Sequence, residues 1–223
     1  MAHYKEGVWV IGDVHGEYEK LTKLLKKLPS DARVCFVGDV VDKGAKSAKV
    51  IDLIIEKEYL CVLGNHEIMM LSCSYEEDKE HQTWLACGGE ETLCSYKNRT
   101  ISHAHYEWLS RLPYFHYFKI DDKTLPLVVS HSYIHKVWVD EKHRYTPKEA
   151  KDILWKKMKK PEDFDPKKEK KNGIFNIFGH TPVPSPVISD YWAMIDTGAT
   201  YTKKKDFGKL TALHYPSMKI VQS

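Results

Sequence analysis

The amino-acid sequence predicts an α/β fold of mixed helices and strands, and two observations carry that prediction. Short β-branched apolar runs alternate with amphipathic helical patterns over residues 8–63, which is typical of parallel strands joined by right-handed crossovers. Polar motifs follow these runs, at the strand ends where open α/β sheets place their sites. A chain of 223 residues with a hydrophobic content of 42% can bury such a core, and we expect one domain over residues 1–223.

Each element of this alternation has its own pattern. Strand Val8–Ile11 precedes a helix over Glu17–Leu28, in which leucines recur at the i, i+3, i+4 and i+7 positions. Strand Val34–Val37 precedes a second helix, about Ala45–Glu56, with a stripe of Val and Ile. Strand Leu60–Leu63 completes the unit.

The remainder of the chain is predicted to continue as helices and strands. Apolar residues at helical spacing fill residues 68–112, and a hairpin is predicted from strands Tyr114–Ile120 and Leu125–Val129. A helix is predicted from Pro147 to about Lys159. The charged segment Lys156–Lys171 is expected to be a solvated loop, with a basic rim for anionic substrates as the alternative. Further strands are predicted at Ile174–Phe178, Tyr191–Ile195, Leu210–His214 and Lys219–Val221.

Composition excludes several classes of function. The 34 Lys and Arg residues nearly balance the 31 Asp and Glu residues, and a net charge of +3 does not indicate a dedicated nucleic-acid-binding protein. We find neither a signal-peptide pattern nor the run of about 20 apolar residues that spans a membrane. The five cysteines contain no CxxC pair, and Cys35 and Cys61 lie in apolar runs, so we expect buried thiols and a reducing cytoplasm.

Five short motifs stand in one order along the chain, each after an apolar run. They are GDVHG at 12–16, GDVVDKG at 38–44, GNHE at 64–67, SH at 130–131 and GHTP at 179–182. Their polar side chains are Asp, His and Asn, which are ligands for divalent cations. Alone, each such residue is more often a helix cap or a core residue, but five motifs at matching strand ends favour a site for a pair of metal ions.

Residue chemistry suggests how two ions would be shared. Asp13 and His15 are separated by one residue at a strand end, so both can reach one ion. Asp39 ends the next strand, and its two carboxylate oxygens can bridge ions that lie about 3.5–4 Å apart. Asn65 offers a neutral amide oxygen to the second ion. Two histidines from far along the sequence complete that ion: His131 and His180.

The other histidines lack this context and receive no role. His103 and His105 resemble a metal-binding pair only superficially, because residues i and i+2 of a helix face different ways. We therefore expect the candidate site to exclude them.

The motifs resemble those of the calcineurin-like metallophosphoesterase superfamily from Gly12 to Pro182, and the segment Ile195–Ala199 extends the similarity. The short length and the GHTP form resemble the bacteriophage lambda and bacterial Ser/Thr protein phosphatase branch. The resemblance implies a β-sandwich flanked by helices, and hydrolysis of phosphate monoesters without a covalent intermediate. It also implies two divalent metal ions. Manganese is the expected metal, and Fe, Zn, Co and Ni suit the same ligand types.

The resemblance assigns a role to each motif residue. The first metal would be bound by Asp13, His15 and Asp39, and the second by Asp39, Asn65, His131 and His180. A hydroxide bridging the two ions would attack phosphorus in line, and His66, oriented by Asp42, would be the general acid.

Two residues depart from the family pattern. Lys43 and Lys157 stand where the family has arginines that bind phosphate. Lysine keeps the positive charge but lacks the planar guanidinium group, which can donate two parallel hydrogen bonds to phosphate. Drift toward Lys is one explanation, because all but four of the 34 basic residues are Lys. A changed substrate is the other.

These observations predict a dinuclear metal-dependent phosphoester hydrolase. We expect a Ser/Thr protein phosphatase that acts on phosphorylated proteins and small phosphoesters, with neither a nucleic-acid nor a membrane partner. The alternative within enzymes is hydrolysis of dinucleoside polyphosphates or of nucleic-acid phosphate ends. A third possibility is a binding module that has kept the fold and lost catalysis, although every ligand position of the family matches here.

Overall fold

The computed structural model describes residues 6–73, 79–134, 145–158 and 163–223. Their strands are β1 (Val8–Ile11), β2 (Val34–Phe36), β3 (Leu60–Cys61), β4 (Phe115–Phe118), β5 (Leu127–Ser130), β6 (Phe175–Phe178), β7 (Val187–Ile188), β8 (Trp192–Met194), β9 (Thr211–Tyr215) and β10 (Lys219–Gln222). Their α-helices are α1 (Tyr18–Leu25), α2 (Ser47–Glu56), α3 (Asn65–Ser72), α4 (Lys79–Trp84), α5 (Glu90–Cys94), α6 (His103–Ser110), α7 (Pro147–Trp155) and α8 (Pro166–Asn172). Short π-helical and 3₁₀ segments lie at Leu85–Gly89 and Lys97–Arg99.

The strands form two five-stranded mixed sheets. The first has the order β10-β9-β1-β2-β3, in which β1, β2 and β3 are parallel and β9 and β10 are antiparallel. The second has the order β4-β5-β6-β8-β7, with β5, β6 and β8 parallel. The predicted parallel unit at the start of the chain and the hairpin of β4 and β5 are therefore confirmed.

The two sheets pack face to face, which confirms the predicted β-sandwich. Because side chains alternate along a strand, Val8 and Val10 of β1 point into the cluster between the sheets, where Leu127 and Val129 of β5 also lie. Trp9 and Ile11 belong instead to the cluster beneath the helices on the outer face. Helices cover both outer faces, and the continuous apolar runs of the central strands follow from this burial on both faces.

The charged segment near residue 160 differs from its prediction. Residues 166–172 form helix α8 and not a solvated loop, since Pro166 occupies the first helical turn and the Asp165 carboxylate caps the Lys167 backbone N–H. Glu169 of this helix is buried and accepts a hydrogen bond from Trp192 Nε1 at 3.1 Å. Helix α7 ends earlier than predicted, at Trp155, and the expected end at Lys159 lies outside the described residues.

The segment between α4 and α5 was predicted only as helix. It is a π-helical turn in which Gly88 has a φ of 107°, and the Gly88 carbonyl accepts the Lys43 backbone N–H at 3.0 Å. An irregular helix of this kind often lies at a functional site. Within the described ranges, no helix has the length and apolar character needed to cross a membrane.

Candidate active site

The predicted ligands and their neighbours meet at one cavity of about 370 Å³. Seven of the residues predicted to act in the site line this cavity: His15, Asp39, Lys43, Asn65, His66, Lys157 and His180. Asp13, Asp42 and His131 are buried around it. The structure thus brings together residues that lie up to 167 positions apart in the chain.

The backbone in the motifs adopts an uncommon conformation. Within the motifs, five non-glycine residues have a positive φ: His15 (46°), Asp39 (49°), Asp42 (71°), Lys43 (64°) and His180 (67°). Such residues are rare and cluster at functional sites, where surrounding contacts hold them in place. Sequence patterns alone gave no sign of this clustering.

Two motif glycines allow close approach of the ligands. A Cβ at Gly179 would contact the Asp13 carboxylate, and one at Gly64 would contact the Asp39 carboxylate. Side chains larger than hydrogen would therefore displace both carboxylates. These contacts explain why GNHE and GHTP begin with glycine.

His15 and His131 are held in the same tautomer. Nδ1 of His15 lies 2.8 Å from the Val41 carbonyl oxygen, and Nδ1 of His131 lies 2.9 Å from the Val37 carbonyl oxygen. Since a carbonyl oxygen can only accept, each Nδ1 carries the proton and Nε2 of the neutral ring carries a lone pair. Burial lowers the pKa of both rings and so favours the neutral form. Metal-binding histidines are oriented in this way in other proteins.

Asp39 lies between these two rings. Its Oδ2 is 3.6 Å from His15 Nε2, and its Oδ1 is 3.5 Å from His131 Nε2. Burial tends to raise the pKa of Asp39, but the positive charge of His66 and Lys43 beside it outweighs burial and holds that pKa below its usual range. The carboxylate is therefore ionised, with one oxygen available on each side for a cation.

Asn65 and His180 complete the group around His131. Asn65 Oδ1 lies 2.8 Å from His131 Nε2 and 2.9 Å from His180 Nδ1. Asn65 Oδ1 and His131 Nε2 both carry lone pairs and no proton, so their short separation suits a cation bound by both. Burial lowers the pKa of His180 to about 3, and its buried Nε2 has no hydrogen-bond partner among the described residues. Imidazole nitrogens, a carboxylate and an amide oxygen together fit a divalent transition-metal ion.

Two groups of potential ligand atoms emerge from this geometry. The ligand atoms of His15, Asp39 and His66 lie within 4.8 Å of one another, as do those of Asp39, His131 and His180. Asp13 belongs to neither group. Its carboxylate accepts the His180 backbone N–H at 3.2 and 3.3 Å, and burial raises its pKa.

His66 is bound to a carboxylate that is itself fixed. Its Nδ1 lies 2.7 Å from Asp42 Oδ2, and its Nε2 lies 3.9 Å from Asp39 Oδ2, too far for a hydrogen bond. Burial tends to lower the pKa of His66, but Asp39 and Asp42 together raise it. The ring therefore tends to hold a proton beside the cavity.

Trp84 and Thr92 are functional neighbours that the sequence did not reveal. Both donate to the Asp42 carboxylate, Trp84 Nε1 at 3.0 Å and Thr92 Oγ1 at 2.7 Å. Neither residue belongs to a motif, and both lie in the segment 68–112, where the spacing of apolar residues predicted only helices. Each is fully buried, so each side chain both packs in the interior and holds the Asp42 carboxylate in position.

Glu67 is a third residue whose contacts with the site the sequence did not reveal. It is fully buried and accepts backbone N–H groups of Asp39, Val40 and Gly64, each at 2.8 Å. Burial and Asp39 raise its pKa to about 7. Its place as the last letter of GNHE was the available signal, because Glu at the third helical position commonly bonds to backbone at a helix start.

The two lysines in family arginine positions both reach the cavity. Lys43 Nζ lies 2.8 Å from His15 Nε2, and Lys157, which is itself exposed, follows the end of α7 and lines the cavity. Two positive side chains therefore lie beside the cluster of carboxylates and imidazoles.

Comparison with known proteins gives a consistent family. The model for calcineurin-like phosphoesterases matches residues 7–207 of the chain. A Bacillus cereus (strain Q1) relative is 28% identical over 234 residues, covering 95% of this chain and 92% of its own. A Bacillus thuringiensis (strain Al Hakam) relative is 29% identical with the same coverage. Both are named bis(5'-nucleosyl)-tetraphosphatase PrpE (asymmetrical).

Solved structures agree on the fold. A crystal structure of a candidate diadenosine tetraphosphatase aligns with a TM-score of 0.69 and 19% identity, over 100% of this chain and 95% of the other. A serine/threonine phosphatase from Saccharomyces cerevisiae aligns with a TM-score of 0.62 and 14% identity, over 99% and 79%.

The predicted substrate is wrong. We expected a Ser/Thr protein phosphatase, whereas the relatives that align over nearly their whole length are named tetraphosphatases of dinucleosides. The motifs indicate ligands and an acid for phosphoester chemistry in general, and they do not distinguish one phosphoester substrate from another.

Proposed function

Because the chain belongs to the calcineurin-like phosphoesterase family, we propose that it is a metal-dependent hydrolase of dinucleoside polyphosphates. The observation that carries the proposal is its similarity to the PrpE tetraphosphatases along 95% of its length. The cavity supports it, since about 370 Å³ falls within the usual range for small-molecule sites. We also propose that residues 1–223 act as a single domain.

Two divalent cations would be held by the residues that the motifs supply. Asp39 would bridge them, with Asp13 and His15 on one side and the remaining ligands, Asn65, His131 and His180, on the other. Such ions acidify water and neutralise phosphate charge. We propose manganese as the first metal to test, and the nitrogen-rich ligand set also suits Fe, Zn, Co and Ni.

The chain's own residues would position the reacting groups. The Nδ1 protons of His15 and His131, donated to backbone carbonyls, fix which ring nitrogen is available as a ligand. The Glu67 carboxylate accepts the Asp39 backbone N–H and so holds the turn at Asp39, which would keep the direction of the bridging carboxylate. This preorganisation avoids a reorganisation cost during the reaction.

His66 would be the general acid. The Asp42 carboxylate orients its ring through Nδ1, and the proton to be given up lies on Nε2 beside the cavity. When a P–O bond breaks, this proton would pass to the leaving oxygen. Lys43 and Lys157 would attract the non-reacting phosphates as point charges.

The test is a metal-reconstitution assay on the purified protein. The protein is stripped with a chelator and refilled with one metal at a time, then given diadenosine tetraphosphate and, in parallel, a phosphoserine peptide. We expect kcat/KM for the dinucleotide to exceed that for the peptide by at least about 100-fold, since binding contacts outside the reacting phosphate distinguish substrates. Equal values, or hydrolysis of the peptide alone, would refute the proposal.

A further inference from the structure

Two exposed aromatic rings line the catalytic cavity, and the chemistry described above uses neither. Trp155 is 37% exposed and Tyr201 is 38% exposed. Among the large hydrophobic side chains that are exposed in the described part of the chain, these are the two that line this cavity. Large rings are usually buried in soluble proteins, so their exposure beside a polar site points to contact with a ligand.

Trp155 is fixed in position relative to a predicted metal ligand. It is the last residue of α7, and the preceding residues Ile153 and Leu154 are buried. Ser132, the neighbour of His131, donates both its backbone N–H (3.0 Å) and its hydroxyl (2.7 Å) to the Ile153 carbonyl. The end of the helix therefore cannot move independently of the site.

Tyr201 is held in position by contacts within its own loop, residues 196–207. Its backbone N–H donates to the Gly198 carbonyl at 2.8 Å, and the Gly198 N–H donates to Asp196 Oδ1, also at 2.8 Å. A Cβ at Gly198 would contact the Tyr201 ring, so the glycine allows the ring to lie against the backbone. Phe207 packs edge-on against the ring at 6.1 Å between centroids. Asp196 itself lines the cavity, which ties the loop to the site.

Positive charge accompanies both rings. Lys157 stands two residues after Trp155 and lines the same cavity. The exposed run Lys203–Lys205 follows Tyr201, and Lys204 Nζ lies 5.9 Å from the Tyr201 ring centroid. Aromatic faces next to ammonium groups form a surface that suits a base attached to a chain of phosphates.

We propose that Trp155 and Tyr201 are base-stacking residues that bind the nucleoside ends of the substrate, an inference that rests on the proposed function. An aromatic ring can stack on any base, because every base has a π-face. The site would then bind dinucleoside polyphosphates with little preference among bases, and far better than polyphosphates without bases. Stacking acts on substrate and transition state alike, so it lowers KM and leaves kcat nearly unchanged.

The binding test uses the full-length, manganese-loaded protein. Calorimetry measures the Kd of a non-hydrolysable, methylene-bridged analogue of diadenosine tetraphosphate and the Kd of inorganic tripolyphosphate. Trp155→Leu and Tyr201→Leu should each weaken the dinucleotide analogue by about five- to 100-fold, the range for loss of one stacked base, and leave tripolyphosphate within about twofold. Tyr201→Phe, which keeps the ring, should bind as wild type does.

Tyr106→Leu is the matched control, because Tyr106 is 43% exposed on α6 and does not line the cavity. It should alter neither Kd. Equal losses for both ligands in the Trp155 or Tyr201 variants would overturn the inference, because they would show a general effect on the site. An effect in only one variant would overturn the assignment of two stacking residues. No binding of either ligand to the wild type would overturn it as well.

Hydrolysis of diadenosine tetraphosphate by the wild type separates the two proposals. If the wild type hydrolyses it and the ring variants keep the wild-type Kd and KM, the stacking inference fails and the proposed function stands. If the analogue binds with the expected losses in the variants but no dinucleotide is hydrolysed, the proposed function fails and the rings are still base-binding residues.

Discussion

Among the residues that the structure describes, two histidines are each hydrogen-bonded to an aspartate, one in the candidate active site and one outside it. His66 Nδ1 lies 2.7 Å from Asp42 Oδ2, and His105 Nε2 lies 2.9 Å from Asp52 Oδ1. The two bonds are nearly the same length, yet only His66 lines the cavity. The His–Asp bond alone therefore does not mark a catalytic residue.

The difference lies in the second ring nitrogen and in the carboxylate. His105 Nδ1 is 2.8 Å from the Tyr96 hydroxyl, so both nitrogens of that ring have protein partners. His66 Nε2 has only the distant Asp39 carboxylate, at 3.9 Å. Asp42 is fully buried, whereas the Asp52 side chain is 67% exposed. A catalytic acid needs one nitrogen held and the other available, and the active-site pair alone provides this.

Asp39→Asn should produce the largest effect. It removes the charge between the two rings while keeping nearly the same shape, and Asn tolerates the positive φ of 49° at this position. We expect loss of bound metal by elemental analysis and a fall in kcat/KM of more than about 100-fold, beyond what loss of an outer-sphere partner usually costs. The matched variant Asp52→Asn should keep both metal and activity. Two ions per chain in Asp39→Asn, with near wild-type turnover, would contradict the assignment.

His66→Gln should separate substrates by their leaving groups. On alkyl phosphates, whose leaving alkoxide needs a proton, kcat should fall by about 10²–10⁴-fold. On diadenosine tetraphosphate the leaving group is a phosphate with a pKa of about 6, so the loss should be much smaller, about tenfold or less. Metal content should not change.

His105→Gln is the control for this experiment and should have wild-type kinetics on both substrates, because His105 lies outside the cavity. If His66→Gln reduced both reactions equally, His66 would have a role other than proton donation, such as binding an ion.

Asp42→Asn should have an intermediate effect. The amide can still accept from His66 through its oxygen, but it cannot stabilise the charged ring, so turnover on alkyl phosphates should fall by about 10–100-fold. Trp84 Nε1 and Thr92 Oγ1 now donate to a carboxylate and would face a weaker acceptor. A kinetic comparison with Asp52→Asn, at equal metal content, measures how much the buried carboxylate contributes. No difference between the two variants would mean that Asp42 only holds the ring in place.

Sequence patterns predicted which residues meet at this cavity, because those residues follow buried strands. Asp13, Asp39 and His131 follow the ends of β1, β2 and β5, and the apolar runs of these strands can be recognised in the sequence. The partners of Asp42 were not predictable, since Thr92 comes from an irregular helical region 50 residues away and belongs to no motif.

The substrate was not predictable for a related reason. The motifs are those expected to contact metal and the reacting phosphate, and such contacts would be common to a protein phosphatase and a dinucleotide hydrolase. Trp155 and Tyr201 lie at a helix end and in a loop, where neither spacing nor periodicity distinguishes a ligand contact from an exposed side chain. Helix α8 was not predicted because its many charged residues were interpreted as a solvated loop, although Asp165 and Pro166 are typical of a helix start.

His105→Leu should have the smallest effect on activity and a measurable effect on stability. The substitution places an apolar side chain in a buried position and leaves the hydroxyl of the half-buried Tyr96 and the Asp52 carboxylate without their shared partner. Leaving a buried polar group unsatisfied costs about 1–3 kcal/mol, whereas the exposed Asp52 can turn to water at little cost. We expect the free energy of unfolding in urea to fall by that amount, with kcat and KM unchanged. Asp52→Asn should lower it by less than about 1 kcal/mol, since a surface ion pair contributes little. If His105→Leu instead slowed turnover without lowering stability, the outer pair would communicate with the active site, and the distinction between the two pairs would not hold.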